Sequence, residues 1–241
     1  MACGLRPYPS DRPDAVEDRP MAEATLRITS KNYSSWSLRG WLLARLSGLD
    51  FVEEQIAADD PEARAELLLQ SSTIRVPCLV HGEAVVWDTL AIAEYLNEVC
   101  PQAGMLPKDR IARARCRSLS GEMHSGFEAL RSSLPMNIRM HRPGFVLWSG
   151  PRADIAHIVG IWHECLEGWG GPWLFGDRPT VADAMFAPVV TRFRTYDVRL
   201  GAEALAYCDH MMAWPALAEW VEAARREPEA LIGELEVEAE F

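Results

Sequence analysis

The first half of the chain alternates between short apolar stretches and segments in which hydrophobic residues recur every three or four positions. The short stretches either alternate with a period of two or are rich in β-branched residues, and both features are typical of strands. The pattern that recurs every three or four positions is typical of helices with one buried face. Strands are predicted over residues 25–29, 51–56, 74–80 and 84–87, and helices over residues 38–48, 60–69 and 89–99. This order predicts a small α/β domain over residues 23–101.

The second half of the chain carries the helical pattern throughout. Helices are predicted over residues 109–139, 153–169, 181–196, 202–213 and 215–226. Residues 101–107 begin and end with proline and form the candidate linker. The predicted fold class is therefore an α/β domain followed by an all-α domain over residues 108–228.

Composition indicates a soluble globular protein. Of the 241 residues, 49% are hydrophobic and 24% are charged, which is sufficient for two compact cores. No apolar stretch approaches the length of about 20 residues that a membrane helix needs, so we predict no membrane span. Residues 1–22 contain four prolines and few apolar residues, which predicts a disordered extension.

The net charge of −11 argues against a nucleic-acid partner, because phosphate binding depends on clustered Lys and Arg. Six glutamates lie within residues 227–241, so this end is expected to be solvated, with residues 229–241 as an acidic tail. The remainder of the chain is only mildly acidic. A small anionic ligand therefore remains compatible with the sequence.

The six cysteines are scattered, without a CxxC pair or a Cys/His cluster at ligand spacing. We therefore expect neither a metal site nor a dithiol redox pair. Free thiols fit a reducing cytoplasm, and the N-terminal residues lack the apolar core of a secretory signal. The expected location is cytoplasmic.

Two loop-to-helix junctions in the α/β domain carry polar residues suited to binding. Ser34 and Ser35 precede the first helix, and a serine at this position commonly caps the helix. Asp88 and Thr89 open the helix predicted over 89–99. The free amides and positive end of a helix favour an anion there, although a plain N-cap at Asp88 uses the same geometry.

Two further motifs involve a proline and a helix start. Val76-Pro77 lies inside a predicted strand, where proline removes a hydrogen-bond donor and needs an explanation. The sequence FGDRPTVAD at residues 175–183 places Thr180 and Asp183 at S/T-x-x-D spacing. This spacing predicts a capping box at the start of a helix.

Together these motifs resemble the cytosolic glutathione S-transferase superfamily over residues 24–228. The segment 28–48 is similar to the opening of that family, and counting 14 residues back from Gly48, as in its serine-type zeta, theta and delta classes, gives Ser34. The run SSWS at residues 34–37 resembles the SSCS motif of the zeta class, with Trp36 in place of the cysteine. That departure disfavours thiol transfer and dehydroascorbate-type reduction.

The resemblance implies a thioredoxin-like domain followed by a helical bundle, a homodimer, and glutathione as co-substrate. It implies that Ser34 contacts the glutathione sulfur while Ser35 caps the helix. The alternatives are Ser35 as the sulfur ligand, or capping alone. It also implies a cis Val76-Pro77 bond, with Val76 pairing with the cysteinyl backbone of glutathione.

The resemblance assigns the remaining candidates by position. Asp88 and Thr89 resemble the Glu/Gln-Ser pair that holds the γ-glutamyl group, with Thr89 assisting the carboxylate and Asp88 receiving the ammonium. Thr180 and Asp183 resemble the family's structural N-capping box. The predicted helix over residues 109–139 carries candidate lining residues of the electrophile pocket, with ordinary packing as the alternative: Met123, His124 and Phe127.

The implied chemistry is activation of a thiol, because the thiolate is the nucleophile. A serine hydroxyl can donate a hydrogen bond to the sulfur anion worth roughly 1.5 to 3 kcal/mol, or about 1 to 2 pKa units. The resemblance thus predicts a glutathione transferase that attacks a small electrophile, with a role in detoxification. The alternatives are a glutathione-dependent isomerase resembling maleylacetoacetate isomerase, ether or halide cleavage, and a non-catalytic binding protein of the same fold.

Overall fold

The computed structural model describes residues 24–56 and 75–228. Its first domain is a four-stranded sheet in the order β2-β1-β3-β4, in which β1 and β2 are parallel and the other neighbouring pairs are antiparallel. The elements are β1 (Ala24–Ile28), α1 (Ser35–Ser47), β2 (Phe51–Gln55), β3 (Cys78–His81), β4 (Ala84–Trp87) and α2 (Thr89–Val99). This is the predicted thioredoxin-like α/β arrangement, and it confirms the fold class.

The register of the sheet brings three chain segments to one edge. Cys78, the first residue of β3, pairs with Arg27 near the end of β1 and with Trp87 at the end of β4. The residues that follow β1, precede β3 and follow β4 therefore lie side by side. These are the segments that contain the sequence-predicted candidates of the first domain.

Helix α1 is bounded by local signals at both ends. The Ser34 hydroxyl accepts a hydrogen bond from the Ser37 amide, and Gly48 ends the helix in a left-handed conformation at φ 74°. In the middle, Gly40 packs against Pro77, where an added Cβ would lie 2.4 Å from the proline Cβ. The Val76-Pro77 peptide bond is cis, which confirms the prediction.

The second domain is helical throughout its regular elements. After a short 3₁₀ turn (Pro101–Ala103), it contains α3 (Arg110–Ser125), α4 (Glu128–Ser133), α5 (Ser149–Trp169), α6 (Val181–Thr195), α7 (Ala202–Met212) and α8 (Pro215–Arg226). In the described ranges, no helix is long and apolar enough to cross a membrane.

The prediction of one helical tract over residues 109–139 is wrong. Helix α3 ends at Ser125, because Gly126 leaves helical geometry and Phe127 adopts φ 63°. The Arg131 guanidinium of α4 then donates hydrogen bonds to the carbonyl oxygens of Met123 and His124, which α3 leaves unpaired. The tract therefore folds into two helices and an irregular segment.

Helix α6 is buried along most of its length and joins the two domains. Arg39 of α1 is fully buried and donates from Nε to the Met185 carbonyl of α6 over 2.9 Å. At the start of α6, Thr180 and Asp183 form the predicted capping box. The fully buried Asp183 carboxylate also accepts hydrogen bonds from the Leu174 amide and the Tyr207 hydroxyl. The structural prediction for this motif is confirmed.

Several predictions concern residues outside the described ranges. They are the extension at residues 1–22, the helix at residues 60–69 and the acidic tail at residues 229–241. The expectation that residues 227–241 are solvated is wrong for Glu227, whose exposure is only 7%. Its carboxylate is hydrogen-bonded to the segment that follows β1.

Candidate active site

Three helix ends meet beside the shared edge of the sheet. Helix α1 begins after Ser34, α2 begins after Asp88, and α3 ends just beyond His124. The His124 ring lies 4.9 Å from the ring of Trp36, centroid to centroid, and its Nε2 atom lies 2.7 Å from Oδ2 of Asp88. Both domains therefore contribute to the site. His124 of the second domain contacts one residue at the N-terminus of α1 and one at the N-terminus of α2.

Ser34 occupies the N-cap of α1 and is partly exposed. Its Oγ atom accepts a hydrogen bond from the Ser37 amide over 3.2 Å. A hydroxyl has one donor hydrogen in addition to its acceptor lone pairs, so the capping bond leaves the hydrogen available. Capping and donation to a bound sulfur are therefore compatible in Ser34.

The assignment of Ser35 as the helix cap is wrong. Ser35 is the first residue of α1, and its side chain is fully buried. The Ser35 hydroxyl accepts a hydrogen bond from Nη1 of Arg39 over 3.3 Å. This geometry also disfavours the alternative in which Ser35 contacts the sulfur, because its hydroxyl is hydrogen-bonded to the buried Arg39 guanidinium.

Asp88 and Thr89 begin α2. Asp88 adopts φ 75°, and its Oδ1 atom caps the helix by accepting from the Leu90 amide over 2.8 Å. Thr89 is 1% exposed, and its Oγ1 atom has no hydrogen-bond partner within residues 24–56 and 75–228. A buried hydroxyl without a partner is costly, so this atom is suited to a polar group of a bound ligand.

The electrostatics of the site favour anions. The unpaired amides at a helix N-terminus carry partial positive charge, and both α1 and α2 direct this end toward the shared sheet edge. Val76, which precedes β3, is partly exposed at the same edge, while Pro77 is buried against α1. The arrangement can thus hold two negatively charged groups beside an extended backbone segment.

Trp36 is part of the site, a role that its place in the SSWS run does not by itself indicate. The Cζ atoms of Arg39 and Arg131 lie 4.6 Å and 5.0 Å from the centroid of its ring, within the range of cation–π attraction. Arg39 is on the same helix and three residues away, which is a visible signal. Arg131 is distant in the sequence, and no local pattern indicates its position.

The three candidates for an electrophile pocket have different environments. Met123 has no exposed surface and packs in the hydrophobic core, so its assignment to an accessible pocket is wrong. Phe127 is 8% exposed, and its ring lies 5.7 Å from that of His157. Of the three candidates, only His124 contacts Asp88 and Trp36.

The thiols within the described chain are shielded from solvent. The five cysteines there are all buried. Burial raises the pKa of the Cys116 and Cys208 thiols to about 12 and that of the Cys165 thiol to about 11. The same residues include no group of three or more His, Cys, Asp or Glu side chains that could hold a metal ion.

Comparisons with known proteins show similarity to one family. The family model described as glutathione S-transferase, N-terminal domain, matches residues 33–99, and the model for the C-terminal domain of the same family matches residues 119–223. A maleylacetoacetate isomerase from Pseudomonas aeruginosa is 27% identical over 207 residues, which cover 81% of this chain and 89% of the relative. Glutathione S-transferase 1 from Dianthus caryophyllus is 27% identical over 169 residues, which cover 68% and 76%.

Solved structures show the same fold. A glutathione transferase homologue from Burkholderia, crystallised with bound glutathione, superposes with a TM-score of 0.65 at 23% identity and covers 86% of this chain and 100% of its own. Glutathione transferase Omega 2S from Trametes versicolor superposes with a TM-score of 0.66 at 16% identity, covering 89% and 98%. Because the two family models together match well over half of the chain, the protein belongs to the glutathione S-transferase family.

Proposed function

We propose that the protein is a glutathione transferase that activates the thiolate of glutathione for attack on a small electrophile. The observation that carries the proposal is the buried Thr89 hydroxyl, which has no hydrogen-bond partner within the described chain and lies at the N-terminus of α2. A carboxylate bound there would satisfy the hydroxyl and the positive end of the helix together.

Glutathione matches the site group by group. Its γ-glutamyl carboxylate accepts hydrogen bonds from Thr89 and the first amides of α2, and its ammonium binds the Asp88 carboxylate. Its cysteinyl backbone pairs with Val76 beside the cis-proline. Its sulfur then lies at the N-terminus of α1, where the free hydrogen of Ser34 can be donated to it.

Ser34 acts as a hydrogen-bond donor and not as a base. The thiol loses its proton to solvent, and the resulting thiolate is stabilised by Ser34 and by the end of α1. The thiolate attacks the electrophilic carbon, forms the new C–S bond and displaces the leaving group. Alternatively it adds to an activated double bond, and the carbanion so formed takes a proton from water. The buried cysteines of the described chain leave the thiol of glutathione as the nucleophile of this site.

A second candidate is glutathione-dependent isomerisation. It is supported by relatives named maleylacetoacetate isomerase from Pseudomonas aeruginosa and Rattus norvegicus, at 27% and 26% identity. In this reaction the thiolate adds to a double bond, the bond rotates and the thiolate leaves, so Ser34 has the same role. Assays with a maleyl-type diene acid and with a generic aryl halide would distinguish the two activities.

We propose a cytoplasmic homodimer that acts in detoxification or in catabolism of electrophilic acids. Ether or halide cleavage uses the same activated thiolate. A binding protein without catalysis is the rival, and it differs because it has no need to lower the pKa of a bound thiol.

The test is the ultraviolet absorbance of the thiolate in the glutathione complex, measured against pH. The bound thiol of the wild-type protein should titrate about 1 to 2 units below free glutathione, and Ser34→Ala should lose most of that shift. Ser118→Ala is a matched control, because Ser118 is an exposed serine of α3. A wild-type complex that titrates like free glutathione would overturn the proposal and favour the binding protein.

A further inference from the structure

Glu227, directly after α8, is buried against the segment that carries Ser34. Residues 29–34 connect β1 to α1 and are called here the β1–α1 loop. Each of the two carboxylate oxygens of Glu227 accepts two hydrogen bonds. Oε1 accepts from the Lys31 amide at 2.7 Å and Nε2 of Gln55 at 2.6 Å. Oε2 accepts from the Ser30 hydroxyl at 2.7 Å and the Asn32 amide at 3.0 Å.

These bonds use the full acceptor capacity of a carboxylate, which is about four sites. Three of the four donors belong to consecutive residues of the β1–α1 loop. All four donors are uncharged groups, so the carboxylate is held by directional hydrogen bonds. A buried anion of this kind constrains the loop, because moving any one donor leaves an unpaired acceptor in a site that is only 7% exposed.

A continuous set of hydrogen bonds connects Glu227 to Ser34. The Ser30 hydroxyl that donates to Glu227 accepts from the amides of Asn32 and Tyr33, both over 3.2 Å. The Ser30 carbonyl accepts from the Ser34 amide over 3.0 Å. The backbone position of Ser34 is therefore set by a turn whose central hydroxyl is fixed by Glu227.

The second domain supports the same loop from another side. Asn32 is 1% exposed and donates from Nδ2 to Oδ1 of Asn137 over 3.0 Å. Its Oδ1 accepts from the Arg139 amide over 2.9 Å, and Nη1 of Arg139 donates to the Glu227 carbonyl over 3.3 Å. The contacts of Asn32 and Glu227 thus form one connected network around the loop.

We propose that Glu227 is a positioning residue for Ser34, which holds the β1–α1 loop in the conformation that directs the serine hydroxyl to the glutathione sulfur. The inference rests on the proposed function of Ser34 and adds a requirement that the end of α8 be docked on the first domain. It assigns a catalytic consequence to the last turn of the helical domain, far in sequence from the reacting atom.

The experiment compares Glu227→Gln with the wild-type protein. Glutamine has nearly the same shape, but its amide nitrogen presents donors to donors and its oxygen carries no full charge. Its matched control is Glu222→Gln, an exposed glutamate of α8 that pairs with Arg226. The pKa of the bound glutathione thiol is measured by thiolate absorbance, and the affinity is measured by calorimetry with S-methylglutathione.

We expect Glu227→Gln to raise the pKa of the bound thiol by about one unit. At a pH below the thiol pKa of the wild-type complex, this shift lowers the fraction of thiolate about tenfold. The affinity for S-methylglutathione should change less than threefold in this variant, since the γ-glutamyl site is at α2. Glu222→Gln should match the wild-type protein in both measurements. A merely structural role of Glu227 would lower the melting temperature without moving the thiol pKa, and that result would overturn the inference.

Ser30→Ala provides a milder second variant if Glu227→Gln folds poorly. It removes one of the four donors to Glu227 together with the link to Tyr33. Ser30→Ala alone should also raise the pKa of the bound thiol, and an unmoved pKa in this variant would overturn the inference. Where Glu227→Gln folds, the two single variants and the double variant form a cycle, and we expect their effects on the thiol pKa to be non-additive. Additive effects would show that the two residues act separately and would contradict the inference. If the wild-type complex itself titrates like free glutathione, the proposed function fails first, and this inference fails with it.

Discussion

The imidazole Nε2 atom of His124 lies 2.7 Å from Oδ2 of Asp88, so a residue of the helical domain contacts the carboxylate assigned to the glutathione ammonium. Oδ1 of the same carboxylate caps α2, which leaves the incoming ammonium to share Oδ2 with His124. The imidazole can donate a hydrogen bond to the carboxylate and so orient it for the ammonium.

We therefore predict that His124→Ala weakens binding of S-methylglutathione about fivefold, because the Asp88 carboxylate loses the hydrogen bond that orients it, an effect of about 1 kcal/mol. Titration calorimetry measures the affinity. His157→Ala is the control, because His157 is exposed and bonded to Glu122. Equal affinity in all three proteins would exclude a role for His124.

Asp88→Asn should separate the cap of α2 from ligand binding. The asparagine retains a carbonyl oxygen for the Leu90 amide and tolerates the φ of 75°. It lacks the charge for an ammonium group, so glutathione affinity should fall by about 10- to 150-fold, corresponding to about 1.5 to 3 kcal/mol. Titration calorimetry and thermal melts measure the two effects.

The matched control for this substitution is Asp109→Asn. Asp109 is an exposed N-cap on α3 that accepts from the Ile111 and Ala112 amides, and these bonds lower the pKa of its carboxyl group. The control should change stability slightly and leave glutathione affinity unchanged. Unaltered affinity in Asp88→Asn would reduce Asp88 to a helix cap.

Gly40→Ala should disturb the packing of α1 on the cis-proline. The new Cβ would lie 2.4 Å from Cβ and 2.5 Å from Cγ of Pro77, and a proline ring has little freedom to move away. We expect a loss of about 1 to 3 kcal/mol in the free energy of unfolding in urea. Gly160→Ala on α5 meets no atom within 4 Å and should be neutral or gain up to about 1 kcal/mol. Similar stabilities for the two variants would contradict this packing.

The parts of the fold that were predictable from sequence depend on local signals. The cap at Gly48, the cis-proline just before the third strand and the box formed by Thr180 and Asp183 each involve residues within a few positions of one another, and the structure contains all three. The break in the long helical tract is not predicted by the sequence pattern, because phenylalanine, the residue at position 127, is not a type that signals a positive φ. Local patterns thus identify elements better than interruptions.

The contacts that complete the site could not be predicted from the same patterns. His124 reaches Asp88 across 36 positions, and Glu227 reaches Lys31 across 196. His124 is a polar residue near a helix end, and Glu227 is a glutamate at the start of an acidic run. Both descriptions are typical of residues on a solvated surface. Their roles depend on how the two domains pack, which hydrophobic periodicity does not specify.

Asp183→Ala should be a folding variant with unchanged chemistry. The carboxylate accepts hydrogen bonds from the Leu174 and Thr180 amides, and leaving these buried donors unpaired should cost about 3 kcal/mol or more in the free energy of unfolding. Turnover per folded molecule should equal that of the wild-type protein. Asp177→Ala, an exposed aspartate of the same motif, is the control and should change neither quantity.

The pH dependence of this stability difference has a definite sign. Desolvation by burial raises the pKa of the Asp183 carboxyl above its ordinary value of 3.8. The folded protein therefore holds that proton more tightly than the unfolded chain does. The stabilisation from protonation is full below pH 3.8 and is lost as pH rises through the raised pKa. Urea unfolding at a series of pH values measures this. As pH rises above 3.8, the difference in the free energy of unfolding between the wild-type protein and Asp183→Ala should become smaller, and an increase in that difference would contradict this prediction.

Ser34→Cys should form a mixed disulfide with oxidised glutathione. The introduced thiolate attacks one sulfur of the disulfide, a new S–S bond forms, and the second glutathione leaves as a thiolate that takes a proton from water. The reaction requires the side chain at position 34 to point at the site of the glutathione sulfur. Mass spectrometry of the variant should show one added glutathionyl group, relative to the wild-type protein under the same conditions.

Ser35→Cys is the matched control for the mixed disulfide, one residue further along α1. Because the Ser35 side chain is fully buried beside Arg39, a thiol there has no path to a bound disulfide and should remain unmodified. Modification of Ser35→Cys alone would place the sulfur ligand one residue along the helix. Modification of neither variant would mean that the N-terminus of α1 does not face the glutathione sulfur, and the role assigned to Ser34 would have to be withdrawn.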